Sequence, residues 1–243
     1  MLSLQDVEDA ATIVYAAMPP TPQYAWPLLA KRTGCEVWVK HENHTPIGAF
    51  KVRGGLVYMN QLKRDPTRVK GVVSATRGNH GQSIALAAAK AGIAATIVVP
   101  QGNSVEKNAA MRAFGAELIE AGHDFDAARD TAVRLAGERG LLMVPSFHRD
   151  LVRGVATYAL ELFRAAPPLD TVYVPIGLGS GICGVIAMRA YYEDTHQLTE
   201  GAGAASLAAL LQERERLKGK RVGLILSGGN IDRPLYLRLL GGA

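Results

Sequence analysis

The sequence alternates short, largely apolar segments with amphipathic stretches of helix-forming residues, and this alternation constrains the fold more than any other feature. The segment Ala95–Val99 is apolar except for Thr96 and ends at Pro100, and residues 71–74, where only Ser74 is polar, form a similar segment before a glycine-containing turn. Strands that are apolar on both faces and separated by helices are typical of parallel sheets covered on both sides. The sequence therefore predicts an α/β protein with two open, parallel-type sheets covered by helices.

The same pattern predicts the order of the elements and a division into domains. Strands are predicted at 37–39, 71–74, 95–99, 116–119, 141–144, 171–175 and 221–226, and helices after residue 49 and at 83–91, 105–114, 124–138, 150–163 and 202–216. We expect a smaller domain, residues 50–149, to be inserted between the two parts of a larger one, residues 1–49 and 150–243.

Composition excludes several classes of protein. Apolar residues make up 48% of the chain and charged residues 20%, which is ordinary for a soluble globular protein. No apolar run is long enough to cross a bilayer, and the acidic N-terminus predicts no secretory signal, so a cytoplasmic location is expected. Cys35 and Cys183 have no metal-ligand spacing and predict no disulfide framework. The lysines and arginines behind the net charge of +5 are scattered and interrupted by acidic residues, which argues against a nucleic-acid partner.

A glycine-rich turn, Gly177-Leu178-Gly179-Ser180-Gly181, follows the predicted strand at 171–175 and precedes a helix. Such a turn can present backbone N–H groups to a phosphate at the start of a helix. It departs from the dinucleotide pattern G-x-G-x-x-G because Ile182 stands at the sixth position. Alone, the turn predicts an anion site and a purely structural strand-to-helix turn about equally.

Lys51 has an unusual setting, beside Phe50, after a turn containing Pro46 and Gly48, and at the start of a helix. If the lysine were desolvated there, its ammonium form would be disfavoured and its amine would become nucleophilic. By itself the segment is also compatible with an ordinary surface lysine.

The polar loop Thr76-Arg77-Gly78-Asn79-His80 lies between an apolar strand and a helix. It therefore lies at the carboxyl edge of a parallel sheet, where ligands bind in open α/β folds. Its hydroxyl, amide, imidazole and helix-start N–H groups suit a carboxylate, although a helix cap would explain them as well. Another turn, Ser227-Gly228-Gly229-Asn230, follows the last predicted strand.

Taken in order, these four segments resemble the motifs of fold-type II pyridoxal-phosphate enzymes, specifically the serine/threonine dehydratases and serine racemases. A-F-K-V-R-G resembles their lysine motif, T-R-G-N-H-G-Q their substrate loop, G-L-G-S-G their phosphate cup, and S-G-G-N their C-terminal loop. The resemblance covers nearly the whole chain.

The resemblance implies a role for each matching residue. Lys51 would hold pyridoxal 5'-phosphate covalently and act as the catalytic base, Phe50 and Asn79 would contact its ring, and Ser227 would face the ring nitrogen. The phosphate would be bound by Gly177, Leu178, Gly179, Ser180 and Gly181. The substrate would be bound by Thr76, Arg77, Gly78, Asn79 and His80.

The implied activity is dehydration and deamination of a β-hydroxy amino acid such as threonine or serine, giving a 2-oxo acid and ammonia, by a homodimer. At the position of Arg77 the racemases carry a serine that acts as the second base of racemisation. An arginine stays protonated in proteins and cannot act as that base, which favours a dehydratase over a racemase. Phenylserine or 3-hydroxyaspartate as substrate, or a non-catalytic remnant of the fold, remain as alternatives.

A segment of the family's large domain has no counterpart between the glycine-rich turn and Glu200. We expect either a chain break near residues 187–188 or a true deletion. Because the carboxylates of the family's divalent-cation site would lie in that segment, no metal site is predicted.

Overall fold

The computed structural model describes residues 2–64, 69–176 and 182–241, and these residues form two compact α/β units. The first unit comprises Met1–Pro19 and Lys51–Thr157, and the second comprises Pro20–Phe50 and Tyr158–Ala243. The prediction had grouped residues 1–49 with 150–243. In the structure, however, the N-terminal helix contacts the helix that begins at Lys51, and Met1–Pro19 therefore belong to the first unit.

The elements follow one another in an α/β order. The helices are α1 Leu4–Tyr15, α2 Pro27–Thr33, α3 Lys51–Lys63, α4 Asn79–Ala91, α5 Val105–Ala113, α6 Phe125–Arg139, α7 Arg149–Ala165, α8 Ile182–Thr195, α9 Gly201–Leu217 and α10 Arg233–Gly241. The strands are β1 Gln23–Ala25, β2 Glu36–His41, β3 Val72–Ala75, β4 Ala95–Val99, β5 Glu117–Glu120, β6 Leu142–Met143, β7 Thr171–Tyr173 and β8 Arg221–Leu226.

The first unit contains a sheet of order β5-β4-β3-β6 in which all pairs are parallel. Its central strands β3 and β4 are buried along their whole length, as the apolar segments predicted. The alanine-rich helix α4 packs against α3, and α6 packs against β3 and β4. The carboxyl end of β3 thus leads directly into the polar loop that precedes α4.

The second unit contains a sheet of order β1-β2-β8-β7. Strands β2 and β8 run parallel, in a register that starts with Glu36 opposite Arg221, whereas β1 is antiparallel to β2. Buried side chains of β2 and β8, among them Val37, Val39 and Leu224, form a core with residues of α8 and α9. The prediction of two open, mostly parallel sheets covered by helices is confirmed.

The backbone is helical through residues 187–188, where the sequence suggested a chain break or a deletion. It forms one helix from Ile182 to Thr195, and Ala187, Met188 and Tyr191 are buried together in the core of the second unit. Helix α8 is followed within a few residues by α9, against which it packs. The chain break and the deletion both stay predictions from the family resemblance.

Candidate functional site

Lys51 is the first residue of α3, and its backbone is fixed by the neighbouring helix α4. The hydroxyl of Ser83 donates a hydrogen bond of 2.6 Å to the carbonyl oxygen of Lys51. The Lys51 side chain is half-buried at this helix start. The structure thus places the lysine in the turn-to-helix setting that the sequence indicated.

The residues after Lys51 allow α3 to approach two other helices closely. A Cβ atom on Gly55 would lie 2.3 Å from the Ser83 hydroxyl in α4, and one on Gly154 in α7 would lie 2.2 Å from the carbonyl oxygen of Arg53. Arg53 is fully buried and donates to the Thr157 hydroxyl at 2.9 Å. The arginine and the glycines around it therefore hold the helix that carries Lys51.

The loop after β3 is shaped by the side chain of Thr76. The Thr76 hydroxyl oxygen accepts hydrogen bonds from the backbone N–H of Gly78 at 3.0 Å and of Gly81 at 3.2 Å, and the residue is buried. The N–H groups of Gly78 and Gly81 are thereby engaged inside the loop. The hydroxyl hydrogen of Thr76 is left as a donor for a ligand.

His80, in the first turn of α4, has a buried Nε2 atom without a hydrogen-bond partner. Burial, followed by the positive charge of nearby Lys51, lowers the pKa of His80 to about 4. A buried polar atom without a partner is costly unless a ligand or water supplies one. The structure therefore joins Lys51 and a neutral His80, two residues from separate sequence motifs, within one unit.

Arg77 lies in the same loop, but its side chain is exposed. On the neighbouring carboxylate of Asp124, the backbone N–H of Ala127 lowers the pKa most, and Arg77 makes a small contribution in the same direction. The exposed Arg77 side chain is thus directed outward, into solvent.

In the second unit, the segment before Lys51 is hydrogen-bonded to the turn after β8. The N–H of Phe50 donates to the carbonyl oxygen of Ser227 at 3.0 Å, and Ala49 forms an antiparallel bridge with Gly228. Asn230 donates through Nδ2 to the carbonyl oxygen of Ile47 at 2.7 Å. The turn after β8 thus supports the segment that precedes Lys51.

Ser227 is 5% exposed, and its side chain makes no hydrogen bond with any residue that the structure describes. The Phe50 ring meets Tyr158 edge-on, with 6.2 Å between the ring centroids. The predicted phosphate-binding residues 177–181 lie outside the described part of the chain.

A buried polar cluster in the second unit was not anticipated from the sequence. Lys40, at the end of β2, forms an ion pair of 2.6 Å with Glu161, and both side chains are almost fully buried. Its Nζ also donates to the carbonyl oxygen of Thr21 at 2.6 Å. Next to it, the indole N–H of Trp26 donates to Nε2 of His41, and burial, followed by the charge of His44, lowers the pKa of His41 to about 4.

Comparison with known protein families matches residues 14–187 to the model of the family described as "Pyridoxal-phosphate dependent enzyme". The chain is 32% identical over 223 residues to the biosynthetic L-threonine dehydratase of Haemophilus influenzae, which covers 90% of this chain and 43% of that protein. It thus spans less than half the length of this relative.

A second relative, the L-threonine ammonia-lyase of Geobacter sulfurreducens, is 34% identical over 280 positions that include 84% of this chain and 69% of that protein. The alignment is longer than the 243 residues of this chain, so it contains residues of the relative that have no counterpart here.

Among solved structures, threonine deaminase isoform 2 from Solanum lycopersicum superposes with a TM-score of 0.87 at 22% identity, covering 98% of this chain and 87% of that one. At this identity, the likeness establishes the fold.

Proposed function

The chain belongs to the pyridoxal-phosphate dependent enzyme family, and we propose that it is a lyase that deaminates a β-hydroxy amino acid such as threonine or serine. The products are a 2-oxo acid and ammonia. The observation that carries the proposal is the placement of Lys51 at the start of α3, beside the buried, unpartnered Nε2 of His80. The names of the two relatives support the same reaction.

The described residues fit pyridoxal 5'-phosphate. In the first unit, the buried imidazole nitrogen of His80 has no hydrogen-bond partner and is a group that a polar ligand would satisfy. Lys51 would hold the cofactor, Phe50 and Asn79 would contact its ring, and Ser227 would face the ring nitrogen. Gly177, Leu178, Gly179, Ser180 and Gly181 would bind the phosphate, as the resemblance implies.

When bound, pyridoxal phosphate withdraws electrons from the substrate's α-carbon. The Nζ of Lys51 then acts as the base that removes the Cα proton. His80 is neutral because its pKa is about 4, so it adds no positive charge that would compete with protonation of Lys51. The Thr76 hydroxyl hydrogen and the N-terminus of α4 face the substrate carboxylate. Ser227 is uncharged, and it does not force protonation of the ring nitrogen as an aspartate would.

Elimination is favoured over racemisation because racemisation needs a second base on the opposite face of the substrate. The guanidinium group of an arginine is not deprotonated in proteins, so Arg77 cannot supply that base. Its exposure favours a neutral β-substituent over a second carboxylate, and the substrates proposed first are therefore threonine and serine. The proposal includes a cytoplasmic homodimer in which residues 50–149 act as the substrate-loop domain, as the family resemblance implies.

A second candidate is a protein that keeps the fold and binds the cofactor but does not turn over substrate. The absence from this sequence of the family segment expected between the glycine-rich turn and Glu200 favours it.

Lys51→Ala tests the proposal, with Lys63→Ala at the far end of the same helix as the matched control. The wild type and the control should show a visible absorption band, and borohydride should fix the cofactor to the peptide that contains Lys51. Both should release a 2-oxo acid in a panel of serine, threonine, phenylserine and 3-hydroxyaspartate. Lys51→Ala should lose the covalent label and all turnover.

The outcomes separate the candidates. Labelling of Lys51 without oxo-acid release supports the non-catalytic protein. Full activity of Lys51→Ala, or D-amino acid formation by the wild type, contradicts the proposed lyase. Gly179→Asp should weaken cofactor binding sharply if the glycine-rich turn binds the phosphate, because a carboxylate would repel it.

A further inference from the structure

We infer that Lys107 is a substrate-binding residue whose ammonium group binds the α-carboxylate of the amino acid at the loop after β3. The inference deepens the proposed function and rests on it, since it assigns a new residue to the same site. The sequence motifs gave no reason to single out Lys107, which lies in a different helix from the lysine and loop motifs.

The Lys107 side chain lies along the backbone of the loop. Lys107 is in the first turn of α5, where its N–H donates to the capping hydroxyl of Ser104 at 3.2 Å. A Cβ atom on Gly78 would lie 2.9 Å from Cδ and 3.5 Å from Nζ of Lys107. The ammonium group is therefore adjacent to the central residue of the loop, and any residue larger than glycine there would displace it.

The electrostatics of this position call for an anion. Helix N-termini carry partial positive charge, so a lysine in the first turn of a helix is electrostatically disfavoured. Lys107 stands in such a turn of α5 while pointing at the N-terminus of α4, where Gly78 provides no side-chain cap. No carboxylate among the described residues forms an ion pair with Lys107, and the adjacent Glu106 is exposed.

The other groups of the loop carry no negative charge that could pair with Lys107. They also offer no second cation that could bind a carboxylate in its place. The N–H groups of Gly78 and Gly81 already donate to the Thr76 hydroxyl. His80 is neutral, and Arg77 is exposed. A carboxylate at the loop would thus receive the hydroxyl hydrogen of Thr76 and a charge-assisted hydrogen bond from Lys107, which is among the stronger hydrogen bonds in proteins.

Lys107→Gln in the cofactor-loaded enzyme tests the inference, with Lys107→Arg as the charge-conserving variant. Lys90→Gln, which alters an exposed lysine at the end of α4, is the matched control. The loss of one charged hydrogen bond corresponds to a rise in KM of about 10- to 100-fold. We expect this rise for serine, threonine and 3-hydroxyaspartate alike, with kcat changed by less than about threefold, and a partial recovery in Lys107→Arg.

A binding measurement removes the dependence on turnover. In an absorbance titration, 2-aminoethanol, which has the amine but no carboxylate, should bind wild type and Lys107→Gln equally, whereas serine should bind the variant more weakly. In the cofactor-free protein, acetate should shift the amide NMR signals of residues 76–80 in wild type and in Lys90→Gln, but not in Lys107→Gln.

Three results would overturn the inference. The first is an unchanged KM in Lys107→Gln. The second is a rise in KM for 3-hydroxyaspartate alone, which would place Lys107 on that substrate's second carboxylate, and the third is an equal weakening of 2-aminoethanol and serine binding. If the wild type turns over none of the amino acids, the proposed reaction is wrong, and the acetate titration still decides whether Lys107 binds a carboxylate. Melting curves of all variants distinguish these results from misfolding.

Discussion

The two sheets of this protein are built from the same kinds of element but in different ways. The first-unit sheet uses strands from one stretch, Val72–Met143, and all its pairs are parallel. The second-unit sheet pairs β2 with β8 from near the opposite end of the chain and has an antiparallel edge strand. The first is therefore specified by local alternation of strand and helix, whereas the second depends on contacts distant in sequence.

The two units also differ in how they hold their functional segments. In the first, α3 is packed against α4 and α7 through close backbone approaches at Gly55 and Gly154. In the second, the segment before Lys51 is held by hydrogen bonds to the turn after β8, and the unit contains the buried Lys40–Glu161 pair. We expect the first unit to be sensitive to added volume and the second to loss of charge.

The largest effect is expected from Lys40→Met in the second unit. Removing one member of a buried ion pair leaves an uncompensated charge and typically costs about 3–5 kcal/mol of unfolding free energy. Urea denaturation should show this loss, and the double variant Lys40→Met/Glu161→Leu should recover much of it.

In the first unit, Arg134→Gln, which breaks the exposed pair with Glu138, should cost less than about 1 kcal/mol. Equal losses for the two pairs would remove the contrast between the units.

A smaller effect is expected from Gly154→Ala in the first unit. The added Cβ has no room beside the Arg53 carbonyl oxygen, and overpacking of this kind costs about 1–3 kcal/mol. The matched control is Gly137→Ala in α6, where a Cβ meets nothing within 4 Å and the helix should gain about 0.5–1 kcal/mol. The melting temperatures of Gly154→Ala and Gly137→Ala should therefore shift in opposite directions. A higher melting temperature for Gly154→Ala would show that α7 can move away from α3.

The third comparison concerns the acid sensitivity of each unit. His80 in the first unit and His41 in the second have folded-state pKa values of about 4, below the ordinary value of 6.5. The unfolded chain therefore binds more protons between pH 6.5 and 4, so stability falls as the pH is lowered through this range. Each histidine contributes a slope of at most about 1.4 kcal/mol per pH unit. His80→Asn and His41→Asn should each flatten the dependence of the melting temperature on pH, and a slope unchanged in both would contradict the burial argument.

The sequence predicted the elements that carry strong local patterns. Strands β4 and β8 match their predicted bounds, and α5, α6 and α9 match within one residue at each end, because apolar segments and glycine or polar caps mark them. Helix α1 was missed although the capping box of Ser3 and Asp6 announces it. Strand β1 has one half-buried residue and two exposed ones and pairs only with β2, so it leaves no pattern of its own.

For the site, the motifs indicated which residues matter but not how they interact. The sequence could not show that Lys51 lies close enough to His80 to depress its pKa, because this depends on the packing of α3 on α4. The same holds for the Thr76 hydroxyl, which organises its own loop, and for Lys107, which reaches that loop from α5. Such contacts depend on tertiary structure, and no spacing rule encodes them.

The pairing of β2 with β8 has a consequence for how the protein is made. Glu36 and Arg221 face each other across 185 residues, and translation at about 5–20 residues per second separates their synthesis by about 10–40 seconds. During that interval the first-unit sheet can already form, whereas Val37 and Val39 of β2 have no partner strand from β8 and depend on chaperones or on transient burial. A nascent chain released before Ser227 is added cannot make the hydrogen bond from Phe50, so prematurely terminated chains lack this support for the residue that precedes Lys51.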